Sequence, residues 1–260
     1  MGSIDIESGL TPEEVSVRPN CTARKDGGDS LIRGQKAAWV SNGSIADIAV
    51  LFCVLDPAQG QKGGGVFLAP LDLPGVSRPR PLDKLGQRAL NQGEIFFDDV
   101  RIPARYMAMG PDGYSVALEM MLAVANAAMG ELFVGVAAAA YDYAPAYARE
   151  RVQGGVPIQR HASVRSRLFK MFMKVEAARA MARRVAIFNV GGSPRIQYSI
   201  ASKVFCTRTA FDVASEAVQI FGGNGLSREY PVEKLLRDAR ASLIEDGCNE
   251  MLTIVGGARL

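Results

Sequence analysis

The chain has 260 residues, 48% hydrophobic and 22% charged, so it can fill one large or two modest globular domains. A net charge of +3 without any Lys/Arg tract excludes a protein built to bind nucleic acid. The longest apolar stretch, residues 129–140, is broken by Glu131 and is too short to span a bilayer, so no membrane partner is expected.

In chain order, residues 1–20 carry no periodic pattern and read as a loosely structured segment. Residues 21–108 read as a β domain. Short apolar or alternating runs at 31–34, 36–40, 48–55, 65–69 and 94–97 are separated by Asn42-Gly43, Asp56-Pro57, Gly63-Gly64-Gly65 and Leu73-Pro74-Gly75, all turn chemistry. Such spacing suggests a small barrel or sandwich. Over 109–260 the period becomes helical, and the run at 129–140 reads as a helix buried on most faces. Leu168, Met171, Phe172, Val175, Ala178, Ala182 and Val185 recur at three- and four-residue steps, one apolar stripe on a helix over 165–190. Further helices are predicted over 198–221, 231–240 and 243–255, with a turn at Gly191-Gly192-Ser193-Pro194. The fold class is α+β and multidomain: a small β barrel or sandwich followed by a C-terminal four-helix bundle.

Few residues carry chemistry by type alone. Cys21, Cys53, Cys206 and Cys248 are widely spaced with no CxxC pair, so reduced thiols are expected, with neither a disulfide framework nor a metal site. The single histidine, His161, reads as structural. Ala258-Arg259-Leu260 has the small-basic-Leu form of a peroxisomal address, leaving peroxisome or cytoplasm as the expected location.

The most informative segment is 219–240. Gln219 and Phe221 end an amphipathic helix. Gly222 and Gly223 follow, where the chain needs positive φ or close approach to a ligand, and Pro231 stands near the first turn of the next helix. With Arg237 and Asp238 in phase, this string resembles the C-terminal signature of the acyl-CoA dehydrogenases, flavoproteins that desaturate acyl thioesters between Cα and Cβ. The likeness runs from about Arg18 to the C-terminus. Gly34 to Gly43 resembles the family's G-x-K-x-W-[IV]-[TS]-N-G segment, which implies Trp39 against the flavin ring and the Ser41 hydroxyl facing flavin N5. Arg151 opens a segment like R-x-x-F-G, with Gly154 in place of phenylalanine. The resemblance implies that Arg151 reaches an FAD pyrophosphate across a subunit interface, a task suited to a guanidinium, and that Gln219, Gly222 and Gly223 touch the adenosine half. A homodimer or homotetramer is therefore implied.

Counting from Arg237-Asp238-Ala239, the family's catalytic glutamate falls on Asp246, with Glu245 as the neighbouring carboxylate and Cys248 where a flavin-contacting threonine is usual. A base in a dry acyl pocket would have a raised pKa. Gly247 would let the backbone approach a ligand. Ala123, Ala125 and Asn126 align with polar positions near the acyl-CoA, so the substrate side has lost hydrogen-bonding groups. The family's N-terminal helical domain has no counterpart here, which implies a truncated member with part of the flavin seat missing. Three functions follow. One is FAD-dependent α,β-dehydrogenation of an acyl thioester or related carbonyl substrate. Another is a flavin-independent isomerase or cyclase acting on a polyketide-like or terpenoid molecule in specialised metabolism. The third is one subunit of a split dehydrogenase.

Overall fold

The computed structural model describes residues 20–56, 58–59, 63–192 and 194–260. The expected loose segment over 1–20 therefore lies outside the described residues except for Asn20, as do Pro57 and Ser193 of two expected turns. The chain forms two compact units. One comprises residues up to Lys84 together with Arg88–Glu119; the other comprises Leu85–Gln87 and Met120–Leu260.

The first unit is one seven-stranded sheet. Its strands are β1 (Cys21–Asp26), β2 (Asp29–Ser41), β3 (Ile48–Val54), β4 (Gly64–Pro70), β5 (Val76–Ser77), β6 (Gln92–Pro103) and β7 (Met107–Met109). They lie in the order β5-β6-β2-β1-β3-β4-β7, antiparallel except where β1 runs parallel to β3 with Thr22 beside Val54. Alternation decides which face is buried: Leu51 and Cys53 on β3, and Ile95, Phe97, Val100 and Ile102 on β6, point into a core shared with Ile32 and Phe67. The small barrel or sandwich expected from sequence thus takes the form of a single curled sheet. The runs at 31–34 and 36–40 belong to one strand, β2, whose pairing with β6 is interrupted twice. The first interruption includes Gly34, at φ +122°, where a Cβ would lie 2.0 Å from the Asn20 carbonyl oxygen. Only glycine fits there.

The second unit is helical. α1 (Pro111–Glu150) begins in the first unit and is followed by α2 (Ala162–Gly191), α3 (Ile196–Phe221), α4 (Pro231–Ser242) and α5 (Asn249–Gly257). The stripe read on α2 is buried at Leu168, Met171, Val175, Ala178, Ala182 and Val185, whereas Phe172 is 42% exposed. α1 contributes a row of small residues, Ala137, Ala140, Ala144 and Ala148, to the core that also holds Ala210, Val213, Ala214 and Ala217 of α3. Two expectations about α1 are corrected. Its 40 residues are long and apolar enough to cross a membrane by length and composition, and it is buried on one face only, with Met120, Val124 and Leu132 exposed. The buried face belongs to the bundle core.

The helix expected over 243–255 begins only at Asn249, because the chain turns over 243–248 with Asp246 at φ +51° and Gly247 at φ +94°. Left-handed residues stop a right-handed helix. Residues 85–87 clasp α4. The Arg237 guanidinium donates to the Leu85 carbonyl at 2.8 Å, and the Gln87 backbone N–H donates to the Asp238 carboxylate. A Cβ on Gly86 would stand 2.1 Å from the Arg237 carbonyl oxygen.

Candidate functional site

Two places in the helical unit gather the nominated residues, and they are built differently. The first forms where α3 ends. Gly222, at φ +60°, caps the helix by returning its N–H to the Gln219 carbonyl, and the chain continues as a short 3-10 turn over Gly222–Leu226. That turn is braced from inside. Tyr147 stacks on Phe221 with ring centroids 4.0 Å apart, and Tyr230 meets both rings edge-on. The Asn224 amide donates to the Tyr147 hydroxyl at 3.0 Å, and that hydroxyl donates to the Phe221 carbonyl at 3.3 Å. Aromatic pairs in such geometry add to their area burial.

Beside this brace α1 ends, and Arg151 follows it. A hairpin pairs β8 (Val152–Gln153) with β9 (Val156–Pro157) through Gly154 and Gly155, both at positive φ (+64° and +79°). Two consecutive left-handed residues make the tight turn that matches strand twist, so glycine at 154 serves the turn itself. His161 Nε2 donates to the Gln153 carbonyl at 3.0 Å and holds the hairpin down, the structural role expected of it. Between hairpin and 3-10 turn opens a cleft of about 780 Å³ lined by Tyr147, Arg151, His161, Gln219, Gly222 and Gly223, among others. Among the described residues the Arg151 side chain has neither an ion-pair nor a hydrogen-bond partner. A Cβ on Gly222 or Gly223 would meet nothing within 4 Å, so the backbone there is open to approach.

The second place is the turn over 243–248. Asp246 and Gly247 are exposed and Cys248 is half-buried. Glu245, also half-buried, accepts from the Gln87 side-chain amide. Underneath lies Lys203, fully buried on α3, whose ammonium donates to the Gly247 carbonyl at 2.7 Å and to Asn249 Oδ1 at 2.8 Å. Thr207 bonds the same Asn249. Burial pushes the Lys203 pKa down to about 8, with the Asp246 and Glu245 carboxylates pulling the other way. The left-handed pair at 246–247 is thus secured by a buried cation, and the turn's conformation is bound to α3.

The remaining nominated residues lie elsewhere. Ala123 and Asn126, expected beside a substrate, are buried on the packing face of α1 at 2% and 0% exposure, and Ala125 is half-buried. Asn126 donates to its own helix at the Leu122 carbonyl, and its Oδ1 is buried without a partner among the described residues. Trp39 and Ser41 are exposed at the end of β2, in the other unit. The turn after them is the expected one: Asn42 sits at φ +59° and the Ser44 hydroxyl bonds Asn91 Oδ1 at 2.9 Å.

Comparison with known proteins settles the lineage of this scaffold. Residues 11–100 match the model of the acyl-CoA dehydrogenase middle domain, and residues 111–260 match that of the acyl-CoA dehydrogenase C-terminal domain. The chain belongs to the acyl-CoA dehydrogenase family. It is 32% identical to the short-chain-specific acyl-CoA dehydrogenase of Megasphaera elsdenii over 262 residues, covering 100% of this chain and 68% of that protein. The solved butyryl-CoA dehydrogenase of Megasphaera elsdenii superposes with a TM-score of 0.87 at 32% identity, covering 92% of this chain and 63% of the other. A glutaryl-CoA dehydrogenase from Mycobacterium smegmatis, solved in complex with FADH2, gives a TM-score of 0.83 at 25% identity over 92% of this chain and 60% of the other. The chain thus spans about three-fifths to two-thirds of the length of these relatives.

Within this acyl-CoA dehydrogenase scaffold the structure brings together Arg151, Gln219, Gly222 and Gly223 in one cleft, and Glu245, Asp246, Gly247 and Cys248 in one turn. Sequence reasoning missed Lys203, Gln87 and the Tyr147–Phe221–Tyr230 brace. Lys203 left a signal: it is the lone charge in 199–206, a run whose neighbours Ser199, Ile200, Ser202 and Cys206 all face the core.

Proposed function

We propose that this chain binds FAD and acts as an acyl-CoA dehydrogenase on an acyl thioester. The observation that carries the reading is the cleft, where a guanidinium with no partner among the described residues stands beside a glycine backbone open to approach. Such a combination suits a pyrophosphate and its nucleoside, because Arg presents a planar fork to phosphate and bare backbone admits close contact. Arg151 would hold the pyrophosphate, and Gln219, Gly222 and Gly223 the adenosine half. In the resemblance Arg151 serves a neighbouring subunit's cofactor, so a dimer or higher assembly belongs to the proposal.

FAD, when bound, supplies the acceptor for the β-hydride. The rest of the work falls to this chain. Asp246 removes the α-proton, which the thioester carbonyl acidifies, and its carboxylate must come within hydrogen-bond reach of that C–H. Gly247 keeps the backbone beside it free of a side chain. Lys203 holds the Gly247 carbonyl, so the carboxylate is presented from a fixed turn. Glu245 is engaged by Gln87 and so is a poorer candidate for the base. Trp39, Ser41 and Cys248 are proposed as flavin contacts by the same likeness.

The redox-neutral alternative is not favoured, since the relatives are named as dehydrogenases. Gly154 is accounted for by a hairpin turn, and Ala123 and Asn126 by helix packing, so none argues for a remodelled substrate pocket. Titrating the purified protein with FAD while following visible absorbance and flavin fluorescence tests the proposal. Stoichiometric binding that Arg151→Ala weakens at least tenfold, with an unchanged circular dichroism spectrum, is expected. Wild-type protein that stays colourless after incubation with FAD overturns it.

A further inference from the structure

In the sheet, Cys21 on β1 and Cys53 on β3 form the one close thiol pair among the described residues, with Sγ atoms 3.4 Å apart. The parallel register that sets Thr22 beside Val54 places these two residues abreast, with both side chains in the core. Neighbouring strands lie about 4.8 Å apart, within the roughly 4.4–6.8 Å between Cα atoms that a disulfide spans. The approach is therefore imposed by strand pairing, with the sulfurs 3.4 Å apart against the roughly 2.05 Å of an S–S bond. Cys206 and Cys248 have no such neighbour: Cys206 is buried under α2, its thiol 3.5 Å from the Ala178 carbonyl and pushed up to about 11 by burial.

We infer that Cys21 and Cys53 are a thiol-oxidation site, which a small-molecule disulfide converts to an intramolecular disulfide stapling β1 to β3. Cys21 is the attacking partner. It is the more exposed, at 8% against 1%, and the Cys53 S–H donating to it, with the Lys36 charge nearby, favours its thiolate. Cys53 holds its proton more tightly for the same reason and for its burial. The Cys21 thiolate attacks one sulfur of the oxidant R–S–S–R, that bond breaks, and RS⁻ leaves and is protonated to RSH. Cys53 then gives its proton to solvent and attacks the Cys21 sulfur of the mixed disulfide, expelling the second RSH. Two electrons and two protons pass from the pair to the oxidant.

Oxidised glutathione is the probe, applied to the full chain and followed by alkylation in denaturant and peptide mapping by mass. Of the four cysteines, two should lose alkylation, with the peptides of Cys21 and Cys53 joined and their summed mass lower by two hydrogens. Dithiothreitol should reverse this. The closed form should melt higher, by roughly 5 °C, because the crosslink restricts the unfolded chain. Cys53→Ser should stop at a Cys21–glutathione adduct. Four alkylated cysteines, a stable adduct on Cys21 in the wild-type chain, or a link to Cys248 or Cys206 would each overturn the inference. The wild-type mapping decides it even where the variant does not fold.

Discussion

The cleft at Arg151 and the turn at Asp246 sit in one helical unit and are stabilised by opposite means. Around the cleft, stacked rings and glycine conformations hold the backbone, and no buried charge is needed. Beneath the turn, a single buried ammonium donates to the Gly247 carbonyl and to the Asn249 amide oxygen. The first arrangement rests mainly on apolar contact and glycine conformation. The second rests on a proton that burial makes easier to lose. A binding surface that must only persist can be packed, whereas a turn that must hold two left-handed residues in place is tied by a strong directional donor.

The sharpest way to separate the two regions is Asp246→Asn. It should lower turnover of an acyl-CoA substrate by about 10²–10⁴, as for loss of a general base, while FAD titrates as in wild type. Glu245→Gln should change turnover much less. Equal losses from the two substitutions would move the base away from Asp246. Phe221→Ala attacks the other region. Removing a buried ring from the brace should destabilise the protein by about 3–5 kcal/mol in urea unfolding and loosen the cleft. An effect below about 1 kcal/mol would mean the stacked rings do not support the 3-10 turn.

The turn carries a pH response through Lys203. Lys203 has a folded pKa of about 8, depressed by burial from the ordinary lysine value of 10.5, so between these values the unfolded chain binds more protons than the folded one. Stability therefore rises as pH goes from 8 to 10.5, by about 3 kcal/mol from this group, and is flat in it below that window. Lys203→Met should flatten the rise, read as the difference between the two proteins' unfolding curves. Parallel curves would place the titration elsewhere. The smallest effect is expected from Gly154→Ala: a left-handed alanine beside His161 should cost about 1 kcal/mol and weaken FAD binding only slightly.

The sequence disclosed the helical pattern of α2 and the glycines after α3 because both are local: periodicity and left-handed turns leave their mark within a few residues. It concealed β1, since Cys21 and Ala23 are small and Arg24 and Lys25 are charged, so the strand exists only by pairing with β2 and β3. The turn over 243–248 was masked by Leu243 and Ile244, which continue a helical pattern up to the residue that breaks it. Ala123 and Asn126 were placed by alignment, but the face of a helix that is buried depends on what packs against it. Lys203 showed only as an anomaly, because its partners lie more than forty residues away.

The clasp made by Leu85–Gln87 limits how this polypeptide can be cut. A fragment beginning at residue 109 would contain α1 to α5 yet lack the three residues that fill the seat at Gly86, bond the Asp238 carboxylate and meet Glu245. The helical unit is not contiguous in the gene. Its modularity is spatial rather than linear, and recombination between the two halves at the start of α1 would sever a bond that neither half could remake alone.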